Sequence, residues 1–78
     1  MVHRIRGAVH RVGKETATYR LTRDEKVSLV EIVYEQGKVG IRTSENEIVR
    51  IGLNWLLQNH RMQGEGSMLS LVLDALRA

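Results

Sequence analysis

The sequence predicts a mainly α-helical chain with one short β-strand and a short C-terminal helix, folded as an intertwined homodimer. The simplest partner of that strand is its copy in the other subunit. Two helix-opening capping boxes, Thr22-Arg23-Asp24-Glu25 and Ser44-Glu45-Asn46-Glu47, each precede an apolar-periodic run. The β-branched and aromatic run Thr16 to Leu21 has no second run of like quality in the chain. At 78 residues the chain is at most one small domain.

A core of that size supplies roughly 3–5 kcal/mol and usually needs a staple. There is no cysteine for a disulfide or thiolate site. His3, His10 and His60 lack ligand spacing and read as solvated, so no metal and no cofactor are expected. Oligomerisation is the staple left.

Hydrophobic residues make up 42% and charged residues 27%, an ordinary balance for a folded water-soluble protein. No stretch approaches the ~20 apolar residues of a membrane span, and the basic N-terminus lacks the apolar run of a secretory signal. No membrane association is expected, and the absence of cysteine fits a cytoplasmic setting. The net charge of +3 is unevenly placed. Residues 1–14 carry Arg4, Arg6, Arg11 and Lys14 without an acid, whereas residues 15–78 are close to neutral. That asymmetry suggests a polyanionic partner.

Residues 1–14 read as a flexible basic arm. Val2, Ile5, Val9 and Val12 have rough helical spacing, but Gly7 and three valines make a poor helix. In the strand Thr16–Leu21, alternation places Thr16, Thr18 and Arg20 on a polar face and Ala17, Tyr19 and Leu21 on an apolar one. A lone strand cannot satisfy its own hydrogen bonds, so the simplest partner is its copy. The first helix is expected to run from the Thr22 cap to about Gln36 and stop at Gly37 in a left-handed cap.

Its apolar residues sweep about 220°, and those of a second helix from Ser44 to about His60 sweep about 240°, where one packed face needs a stripe of ~100°. Glu47, Arg50, Asn54 and Gln58 form the remaining polar strip of the second helix, and Arg50 reads as solvated or salt-bridged. Trp55 and Tyr19 read as core. Gln63-Gly64-Glu65-Gly66 reads as a hinge-like linker, after which Ser67 caps a helix from Met68 to about Arg77. Ten residues are too few to be helical alone in water, so this segment must dock or fray. The expected organisation is an arm over 1–14, a domain over 15–61, and a linker with an amphipathic helix over 62–78.

Strand, capped helix, glycine and capped helix in this order resemble the ribbon-helix-helix family, the β-ribbon DNA readers that include the Met and Arc repressors. TYRLTRDEKVSLVEIV resembles that family's strand and first helix, and SENEIVRIGLNWLL its second helix. The likeness covers about residues 15 to 60.

The resemblance implies an antiparallel ribbon in the major groove of double-stranded DNA. Thr16, Thr18 and Arg20 would then face base edges, while Ala17, Tyr19 and Leu21 seal the ribbon onto the helices. A guanidinium donating twice to guanine, and threonine hydroxyls and methyls, suit that role. The resemblance also implies phosphate anchoring at the amides near Ser44, Glu45 and Asn46. Arg42, in a loop longer than the family's turn, would reach the backbone as well. Glu45 and Glu47 depart from the pattern: they suit the helix dipole but repel phosphate. Gly52 stands where the family often has alanine.

The expected function is a sequence-specific transcriptional repressor, acting as a dimer or a dimer of dimers. The alternative is an antitoxin-type module that holds a protein partner through residues 67–78 while its N-terminal half binds the operator. No nucleophile–base pair, paired carboxylates or phosphate loop supports an enzyme. Three aromatics without basic interleaving give RNA or single strands little support. A helix-turn-helix is the fold-level runner-up, disfavoured by the glycine-rich second linker and the short last helix.

Overall fold

A computed structural model describes all 78 residues, Met1–Ala78. The chain forms four α-helices and no strand: α1 Val2–His10, α2 Arg23–Lys38, α3 Glu45–Gln63 and α4 Met68–Leu76, with a 3-10 turn at Gly64–Gly66. It divides into two compact units, Val12–Val49 on one hand and Met1–Arg11 with Arg50–Ala78 on the other.

In the unit Val12–Val49, residues 12–22 have no regular structure, and residues 12–21 are all exposed. The expected strand Thr16–Leu21 is therefore absent. With it go the β-ribbon and the ribbon-helix-helix architecture. The physical reason is a missing ladder: no other segment of the chain offers an edge, so the backbone groups of 16–21 stay with water. Ala17, Tyr19 and Leu21 do not form a sealed apolar face; Tyr19 is 58% exposed.

The helix that follows begins as its sequence demands. Glu25 N–H donates to Thr22 Oγ1 at 3.2 Å, and Thr22 N–H donates to Glu25 Oε1 at 2.7 Å, a complete capping box. Asp24 and Glu25 in the first turn and Lys38 in the last suit the helix dipole. The C-terminus lies beyond the expected Gly37, which is helical. Gly40 takes the left-handed conformation at φ +80°. Ile41 N–H donates to the Gln36 carbonyl at 2.9 Å and Gly40 N–H to the Gly37 carbonyl at 3.1 Å, the two bonds of a Schellman motif.

The opening of α3 uses only half of its expected capping box. Ser44 Oγ accepts from Glu47 N–H at 3.1 Å, but the Glu47 carboxylate turns to the Thr43 hydroxyl at 2.8 Å.

In the other unit, residues 2–10 form α1 where the sequence predicts a flexible basic arm. Ile5, Ala8 and Val9 are its half-buried side, at helical spacing. The C-terminal half of the unit is joined tightly. Gly64 turns the chain at φ +54°, and Ser67 N–H donates to its carbonyl at 3.0 Å. Ser67 is wholly buried, caps α4 by accepting from Ser70 N–H at 3.2 Å, and lies 3.0 Å from His60 Nδ1. Asn59 Oδ1 accepts from Met68 N–H at 2.9 Å. The segment expected to be a hinge is a pinned turn, and His60 is part of the pin.

No apolar side chain in the chain is buried, and Trp55, expected in the core, is 40% exposed. No helix is long and apolar enough to cross a membrane.

Candidate nucleic-acid interface

Arginines and lysines bind polyanions only where water and ligand reach them. Arg4, Arg6, Arg11 and Lys14 are all exposed, as are Thr16, Thr18 and Arg20. The first three lie on or at the end of α1, so a helix and not a loose arm displays them. A nine-residue helix containing Gly7 has little intrinsic stability. Its C-terminal carbonyls are held from α3: the Arg50 guanidinium donates to the carbonyls of Ala8, Val9 and Arg11 at 2.9, 3.1 and 2.7 Å. A cation there also answers the negative end of the helix dipole. By sequence, Arg50 reads as a solvated or salt-bridged member of a polar strip. A contact spanning about forty residues leaves no local signal by which to find it.

Lys14, Thr16, Thr18 and Arg20 lie in the irregular stretch of the unit Val12–Val49. Its exposed backbone and side chains can follow a surface, but they have no common face fixed by pleating.

The same unit holds the N-terminus of α3. Serine 44's hydroxyl and carbonyl serve Glu47 and Ile48, while the amides of Glu45 and Asn46 have no partner in the chain. Such first-turn donors can receive an oxyanion. Glu45, one of two carboxylates beside them, is paired with Lys26. That pair is exposed and contributes little stability, but it offsets one charge that would repel phosphate. Arg42 is exposed and lines a groove with Val33, Gly37, Gly40, Ile41 and Thr43. The expected phosphate set Arg42, Ser44, Glu45 and Asn46 thus falls on one loop and helix start, with the donors free and Glu45 turned to an internal partner.

No three His, Asp or Glu side chains come together in metal-ligating geometry. The one histidine–serine pair, His60 with Ser67, is sealed from solvent at the serine and serves as a cap. No family model, curated protein or solved structure matches this chain.

Proposed function

We propose that the chain is a double-stranded-DNA-binding regulator that acts as a homodimer and binds through its first twenty residues. One observation carries this reading. Residues 1–20 hold Arg4, Arg6, Arg11, Lys14 and Arg20 against the single acid Glu15, and all six are exposed. Accessible cations close along the sequence neutralise phosphates and release counterions, the main source of affinity for duplex DNA. The free amides of Glu45 and Asn46 add an anchor of the same chemistry. Arg20, in the same irregular stretch as Thr16 and Thr18, is the base reader, because a guanidinium matches guanine O6 and N7.

The dimer rests on exposed apolar surface. No apolar side chain is buried in the single chain, and both α2 and α3 leave large apolar residues exposed. The exposed apolar residues of α2 and α3, among them Val27, Val30, Ile51 and Leu53, are what a second copy would cover.

A second reading is favoured by α4. Leu71, Val72 and Leu76 stand 56%, 46% and 72% exposed on a helix pinned at its start. A helix that presents such residues suits an antitoxin-type role, in which this segment holds a protein partner.

Selection of bound sequences from a random duplex pool tests the first reading. An enriched motif with two-fold symmetry supports a sequence-reading dimer, and a pool that stays random at every round removes specific binding from the account. Partner capture from the native host, with and without residues 64–78, tests the second.

A further inference from the structure

We propose that the half-open cavity between α1 and the C-terminal half of α3 is a binding site for a phosphate group, one that shares Arg4 and Arg11 with the DNA-binding reading but does not rest on it. The cavity measures about 450 Å³ and is lined by His3, Arg4, Arg11, Asn54, Gln58 and Arg61, without a carboxylate among its lining residues. Three guanidiniums around one concavity make an anion site in the physical sense: each can donate two parallel N–H bonds to phosphate oxygens.

The second observation is Gln58. It is only 7% exposed, and its amide oxygen is buried without a hydrogen-bond partner. Buried polar groups are rarely left so unless a ligand, ion or water completes them. Its neighbour along the helix face does not serve it, because Asn54 Nδ2 donates to the Arg50 carbonyl at 2.8 Å. A half-turn of the Gln58 amide exchanges the oxygen for an NH₂ that can donate to an anion. The C-terminal end of α1, which would repel an anion, is already covered by Arg50.

The volume lies within the range of small-molecule sites and exceeds one phosphate, so a phosphate ester enters with part of its organic body. The buried position of Gln58 favours a terminal phosphate over one flanked by sugars in a duplex.

The test is a titration of the isotope-labelled full chain with inorganic phosphate at constant ionic strength, read by NMR at the glutamine side-chain NH₂ and the arginine Nε–H signals. The Gln58 and Arg61 signals should move saturably together. Gln58→Met and, at an exposed position, Arg61→Gln should each weaken binding about tenfold or more, with helicity unchanged in the second. A Gln58 signal that stays still at saturation, or an Arg61→Gln protein that binds like the parent, overturns the site. Added duplex distinguishes the sources: displacement of phosphate assigns the site to the DNA backbone, and simultaneous binding assigns it to a free phosphate ester, each supporting phosphate as the ligand.

Discussion

Arg50 Nη2 donates to the carbonyl of Ala8 at 2.9 Å, across 42 positions of sequence, and with two further bonds closes the C-terminus of α1. The helix that displays Arg4 and Arg6 is therefore held from α3 and not by its own propensity.

Arg50→Ala should unravel α1. Losing three charge-assisted bonds at a half-buried position costs about 1–3 kcal/mol locally. Hydrogen exchange at the amides of residues 5–11 should accelerate accordingly, with α2 unaffected. Arg50→Lys should fall between, because one ammonium cannot fork across three carbonyls. Unchanged protection in Arg50→Ala would show that α1 stands without its cap.

Two glycines should respond in opposite directions. Gly40 sits at φ +80° in the Schellman turn, so Gly40→Ala should destabilise the protein by about 1–2 kcal/mol. Gly37 is helical and a Cβ there meets nothing within 4 Å. Gly37→Ala should stabilise by up to about 1 kcal/mol. Denaturant midpoints of the two variants check the sign of each.

Ser67→Ala removes the cap of α4 and leaves His60 Nδ1 without its partner. The cost should be about 1–2 kcal/mol, read as faster exchange at Ser70 and Leu71. If α4 exchanges as before, its start is held by the Asn59 bond to Met68 alone.

These residues also show how far sequence carries. The capping residues Thr22, Ser44 and Ser67 were legible because a cap is a local bargain between one side chain and an amide three residues on. The end of α2 was misplaced because Gly37 and Gly40 both fit a C-cap, and only the bonds from Gly40 and Ile41 decide between them. Thr16 to Leu21 has strand composition, but composition supplies no edge to pair with, and in the chain it remains irregular. The basic character of the N-terminus is legible as charge. Its helical form is not, because the Arg50 bonds that close it come from about forty residues away, and by sequence Gln58 is indistinguishable from the rest of its polar strip.

Since no apolar side chain is buried in the single chain, folding and association should be one event. The melting temperature should then rise steadily with protein concentration. A melt independent of concentration, with a monomer's mass in solution, would refute the homodimer.

Duplex affinity against salt, measured on the full chain, tests most directly whether the exposed cations of the first twenty residues bind duplex DNA. The logarithm of the binding constant should fall linearly with the logarithm of salt concentration, by about 0.9 for each phosphate neutralised. Replacing Arg4, Arg6, Arg11 and Lys14 with glutamine should flatten that slope by up to about 3.6 for each copy in the dimer. No binding at roughly 50 mM salt, or a slope that the four replacements leave unchanged, would contradict duplex binding by these cations.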